Sequence, residues 1–109
     1  MKPFGQIRIV LVTCANRKQA RAIAQSVVKK RFAACVNILS APVESIYRWK
    51  GKMETGNETL VFFKLSEDRH SAFQEKLRSL HPYEVPEILF LPIMAGLPDY
   101  LRWVADSGR

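Results

Sequence analysis

Long apolar runs, cysteine pairs and glycine-rich phosphate loops are all missing from this 109-residue chain. No stretch of about 18 apolar residues exists, so no membrane-spanning helix is expected. Met1-Lys2-Pro3-Phe4-Gly5, followed by Arg8, makes a poor secretory signal and points to a cytoplasmic protein. The two cysteines, Cys14 and Cys35, belong to no C-x-x-C pair. Their number and spacing exclude a disulfide scaffold and a four-ligand structural zinc site. G-x-x-x-x-G-K-[ST], G-x-G-x-x-G and H-E-x-x-H do not occur, which removes the P-loop, the dinucleotide fingerprint and the zincin helix. Histidine is scarce, with only His70 and His81 available for hydrolytic machinery. His70 falls in the first turn of a predicted helix, on its solvent face, and is given no role. Repeats, linkers and low-complexity tracts are absent too, so residues 1–109 read as a single domain.

What is present is an ordinary apolar fraction, 48%, and a strong excess of cations, +7 with a pI near 9.8. Arg17, Lys18 and Arg21, then Lys29, Lys30 and Arg31, flank one predicted helix. The simplest reading of that charge is a solvated helix face.

Ile7 to Thr13 is rich in β-branched residues and reads as a buried strand. Asn16 and Gln19 make a capping-box pattern, and Ala20, Ile23, Ala24, Val27 and Val28 recur at helical spacing. Ala34 to Leu39 reads as a second strand, broken near Pro42 and resumed from Val43 to Trp49. Lys50-Gly51 offers a tight turn into a third strand, Glu58 to Leu65, with Met53 to Asn57 either frayed strand or loop. Ser66 is placed as the cap of a second helix with Phe73, Leu77 and Leu80 inward, ended by Pro82. Val85 to Ile93 reads as a fourth strand. A short last helix begins at Pro98 and turns Leu101 and Val104 inward.

This order, β-α-β-β-α-β plus one helix, is an α+β, ferredoxin-like pattern. Right-handed crossovers place strands one and three at the centre and strands two and four at the edges, where Pro42, Pro86 and Pro92 are tolerated. Strand four then begins where strand one ends. Cys14 is therefore expected near the segment from His81 to Glu87, with Tyr47 to Trp49 at the same end of the sheet. Cys35 falls at the opposite end, out of disulfide range of Cys14.

Cys14, His81 and Glu87 are the one cluster with coherent chemistry. A thiolate suits Cu(I), while imidazole and carboxylate suit Cu(II) or zinc. The alternative is a small buried cysteine and a histidine that complements a helix end. Tyr47, Trp49, Tyr83, Tyr100 and Trp103 are many aromatics for so small an interior, and a long edge hairpin needs cover. Both facts favour an oligomer, with Tyr47, Trp49 and Trp103 as interface residues.

Several segments, in order along the chain, resemble the signatures of the CutA divalent-cation-tolerance family. They are Val12-Thr13-Cys14-Ala15-Asn16, Ala33-Ala34-Cys35-Val36-Asn37-Ile38, Ser45-Ile46-Tyr47-Arg48-Trp49-Lys50-Gly51-Lys52, His81-Pro82-Tyr83-Glu84-Val85-Pro86-Glu87, and Gly96 to Trp103. The resemblance implies a ferredoxin-like fold, a tight homotrimer akin to the PII signalling proteins, and a link to copper and other divalent metals. It implies no catalytic reaction and no obligatory cofactor. It also implies a metal site of Cys14, His81 and Glu87. Some bacterial relatives carry their cysteine two positions earlier, where this chain has Val12. Two other readings remain open. An RNA-binding or signalling module is disfavoured, and nucleic acid is not expected as a partner, because strand three lacks the base-stacking aromatic pattern. An acylphosphatase-like hydrolase would need Arg17 in an anion-cradling loop.

Overall fold

The computed structural model describes residues 6–107; the reading of the N-terminus over residues 1–5 lies outside them. The elements are β1 (Ile7–Cys14), α1 (Arg17–Lys29), β2 (Cys35–Ile38), β3 (Val43–Trp49), β4 (Lys52–Ser66), α2 (His70–Leu80), β5 (Ile88–Pro92) and α3 (Pro98–Ser107). They form a small mixed α/β fold with one antiparallel sheet and three helices. Strand order is β2-β4-β1-β5, with β3 paired to β4. The expected central and edge strands are those observed.

Alternation along β1 decides the layers. Val10, Val12 and Cys14 point to one face, with Val61, Phe63 and Leu65 of β4 beside them, and all are buried. The buried stripes of α1 and α2 close over this face through Ala20, Ile23, Val27, Phe73 and Leu77. On the other face Ile7 packs under Val104 and Ala105 of α3. Much of the rest of that face is apolar and only partly covered, and Lys64 and Asn37, hydrogen-bonded to each other, stand on it beside Ile9 and Phe62. Leu89, Leu11 and Phe62 stand in one cross-strand row, and Leu91 and Ile9 in the next. Leu89 and Leu91 are 52% and 43% exposed.

The ends of α1 are specified locally. The Asn16 side chain accepts from the Gln19 amide at 2.8 Å, and Gln19 Oε1 accepts from the Ala15 amide at 3.0 Å. The capping box therefore closes one residue earlier than its usual form. Arg31, at φ 63°, takes the left-handed position of a Schellman end, with Phe32 N–H bonded to the Val27 carbonyl. The Lys50-Gly51 turn has φ of 51° and 79° between the paired residues Trp49 and Lys52. That is the two-residue hairpin in which both central residues need positive φ.

Four expectations are corrected. Met53 to Asn57 is neither frayed nor loop, since each residue pairs with β3 in a continuous 15-residue strand. Ser66 ends β4 and makes no side-chain cap; its hydroxyl donates to Asp68, and a 3-10 turn over Glu67–Arg69 precedes α2. The Ser66 hydroxyl thus serves the turn, and α2 starts four residues later. His70 does not face solvent, because its ring stacks on Phe90 of β5 at 3.8 Å between centroids. β5 is also shorter than its reading, starting at Ile88 rather than Val85. Pro86, which has no N–H to give a ladder, lies just before it.

Candidate functional site

The β3–β4 hairpin rises beyond the end of β1, and the 81–87 segment crosses the same end of the sheet. Between them lies a cleft of about 670 Å³, which Thr13, Tyr47, Trp49, Glu58, Tyr83 and Glu87 help to line. Sheet topology thus delivers residues far apart in sequence to one place, as the strand order required.

His81 ends α2 and is buried against β1. Its Nε2 donates to the Thr13 carbonyl at 2.8 Å, and its Nδ1 accepts from the Tyr83 amide at 3.2 Å. These partners together assign a neutral ring protonated at Nε2. Pairing of β1 with β5 stops at Val12↔Ile88, so the imidazole serves Thr13 where β5 no longer reaches. The Tyr83 hydroxyl donates to Glu58 Oε2 at 2.8 Å. Burial, then the Glu58 hydrogen bond and charge, push the Tyr83 phenol up. Cys14 is fully buried in the main core, and desolvation followed by the charge of Glu58 raises its thiol to about 11. Glu87 is exposed at the cleft.

The donor types implied for a metal site therefore lie at one end of the sheet, but they do not stand as a ligand set. Among the described residues no three His, Cys, Asp or Glu side chains group closely enough to hold an ion. Cys14 is a buried thiol and both His81 nitrogens are engaged, so in this geometry neither presents a free lone pair of the required form. Cys35 pairs opposite Lys64 while Cys14 pairs opposite Thr59. Five residues along β4 separate them by about 17 Å, and both are free thiols.

The aromatic set divides. Tyr47 and Trp49 line the cleft, whereas Trp103, on α3, stacks on Tyr100 at 5.8 Å. Tyr100 in turn approaches Cys35, and burial first, then Cys35, raises its phenol. Trp103 therefore sits toward the opposite end of the subunit from Trp49. Arg17 is exposed in the first turn of α1 and makes no hydrogen bond or ion pair among the described residues. Sequence reasoning missed Glu58. Its signal was its place at the start of a strand that must run beside β1.

Comparison with known proteins agrees with this architecture. The family described as CutA1 divalent ion tolerance protein matches residues 8–107. Protein CutA of Mus musculus is 47% identical over 100 residues, which cover 92% of this chain and 56% of the mouse protein. The chain thus spans about half the length of that relative. The divalent-cation tolerance protein CutA of Thermus thermophilus is 40% identical over 99 residues, 91% of this chain and 95% of its own. The crystal structure of CutA1 from Oryza sativa superposes with a TM-score of 0.91 at 37% identity, covering 96% of this chain and 95% of that one. The Thermus relative is named as a tolerance protein, and none of the three names is that of an enzyme. A profile matched from β1 through α3, with the fold shared over nearly the whole length, leaves one assignment: the chain belongs to the CutA1 divalent ion tolerance protein family.

Proposed function

We propose that this chain is a non-enzymatic, cytoplasmic protein of divalent-cation tolerance, whose ferredoxin-like subunits close into a PII-like homotrimer. The observation that carries the assembly is the open sheet face. An antiparallel sheet facing water alternates to polar residues on that side. Here the rows Leu89–Leu11–Phe62 and Leu91–Ile9 present leucine, isoleucine and phenylalanine on the β5 side of the face, with the polar Lys64 and Asn37 beyond them toward β2. Contiguous exposed apolar surface of this kind marks an interface. Tyr47 and Trp49 lie on the projecting hairpin and Trp103 toward the other end. They can meet only between subunits, head to tail, which is the contact that closes a ring. Trp49→Ala is expected to weaken assembly about thirtyfold, roughly 2 kcal/mol for a buried aromatic anchor. Sedimentation equilibrium reads this directly, and a stable wild-type monomer at micromolar concentration would sink the trimer.

Copper or another divalent ion is the proposed effector, taken up at Cys14, His81 and Glu87 only after local rearrangement. The thiol must ionise, His81 must release a hydrogen bond and Glu87 must turn inward. What supports the set is its one soft thiolate beside an imidazole and its shared end of the sheet. In competition against a copper chelator, Cys14→Ser should lose at least about tenfold in Cu(I) affinity, while Cys35→Ser stays near wild type. Equal affinity in wild type and Cys14→Ser removes these residues from the site. The RNA-binding and acylphosphatase readings gain no support. Arg17 is exposed in the first turn of α1, and the names of the relatives carry neither description.

A further inference from the structure

The cleft reverses the charge of the molecule around it. The chain carries +7, yet Glu58, Glu84 and Glu87 line the cleft and no lysine, arginine or histidine does. Three rings, Tyr47, Trp49 and Tyr83, share the lining. Glu58 is half-buried, and among the described residues no cation pairs with it; its one partner is the Tyr83 hydroxyl. A carboxylate drawn out of water without a counter-charge favours a cation beside it.

Two features say which cation. The carboxylates are not grouped to share a metal ion, and the aromatic faces offer quadrupole attraction rather than lone pairs, which suits a large, weakly hydrated charge. The rim already holds an organic cation, though a primary ammonium rather than a bulky one. The Lys50 ammonium lies 5.5 Å from the centre of the Trp49 ring and 3.6 Å from Glu84 Oε1. The protein's own side chain thus shows an ammonium resting on an aromatic face with a carboxylate beside it.

We infer that this cleft binds an organic ammonium compound, a primary or quaternary amine, with Glu58 as its inner counter-charge, the rings as its walls and Lys50 as a resident competitor at the rim. The volume, about 670 Å³, falls in the range of small-molecule sites. This goes beyond the metal and assembly readings, and it shares Tyr47 and Trp49 with the proposed subunit contact and Glu87 with the proposed metal set.

The test is calorimetric titration of the full-length assembled protein with choline, with putrescine and with 3,3-dimethylbutanol, the neutral isostere of choline. At least one amine should bind saturably and about tenfold more tightly than the alcohol. Glu58→Gln keeps an acceptor for Tyr83 but removes the charge, and should lose about tenfold in amine affinity. Lys50→Asn removes the competing ammonium while suiting the left-handed turn position, and should gain about threefold. It lies on the exposed rim, so it tests the idea even if Glu58→Gln folds poorly. Equal binding of the alcohol, unchanged affinity in Glu58→Gln, or no saturation by either amine below about 10 mM would overturn the proposal. Failure of Lys50→Asn to gain would remove Lys50 as competitor and overturn that part of it.

Discussion

Phe73→Ala is expected to remove about 3–5 kcal/mol of unfolding free energy, the largest effect of any single truncation considered for this chain. Phe73 is fully buried on the inward stripe of α2. Its ring meets Phe63 of β4 edge-on at 5.0 Å and Phe90 of β5 at 6.0 Å, so one side chain joins α2 to a central and an edge strand. Truncation removes the transfer free energy of the ring and leaves a void, because neither neighbouring ring can swing in without leaving its own packing. The two edge-to-face contacts add to the loss, at about 0.5–1.5 kcal/mol each. Domains of this size have only about 5–15 kcal/mol in hand, so Phe73→Ala should be marginal at 37 °C. Urea unfolding at one fixed subunit concentration is the measurement, since assembly makes apparent stability depend on concentration. A loss below about 1 kcal/mol would mean that α2 does not lean on this ring.

His81→Ala is expected to cost about 2–4 kcal/mol in metal-free protein. The ring satisfies the Thr13 carbonyl and the Tyr83 amide at once, in a buried position. Its removal strands two backbone groups where water has little access, at about 1–3 kcal/mol each before relaxation. His81→Phe keeps most of the volume and none of the bonds, so the difference between the variants separates packing from hydrogen bonding. The measurement is chemical unfolding in the presence of a strong chelator. A full loss there identifies His81 as a clamp between β1 and the 81–87 segment, independent of metal. Wild-type stability in chelator, with a deficit only after copper is added, would instead make it a ligand alone.

The two expectations illustrate different kinds of legibility. Phe73 was readable because helical spacing alone put Phe73, Leu77 and Leu80 on one stripe, and a stripe needs a core to face. The same logic read α1 from its Asn16 cap to its basic end, the Lys50-Gly51 turn, and the placement of proline-bearing strands at sheet edges. Each depends on neighbours within a few residues or on a connection rule that holds for any right-handed crossover. Position in the sheet was legible too, so Cys35 could be kept away from Cys14.

His81 shows where such reading stops. Sequence named it and placed it near Cys14, but side-chain donors are assigned by angles and distances that no spacing encodes. Its two nitrogens turn out to serve backbone groups on two different segments, and Cys14 turns inward rather than toward Glu87. His70 was misread for a related reason: the 3-10 turn after Ser66 delays the helix and rotates its first turn onto Phe90. Glu58 was passed over because a glutamate at the start of a strand is locally unremarkable. Only the rise of the hairpin past β1 brings it under Tyr83. The chain by itself determined its elements, their order in the sheet and its family, because these follow from periodicity, turn chemistry and long contiguous motifs. The tertiary structure alone decided which polar groups meet, which cysteine is buried and that a basic protein carries an acidic, aromatic cleft. Those outcomes depend on the relative rotation of packed elements, which is set by the whole core at once.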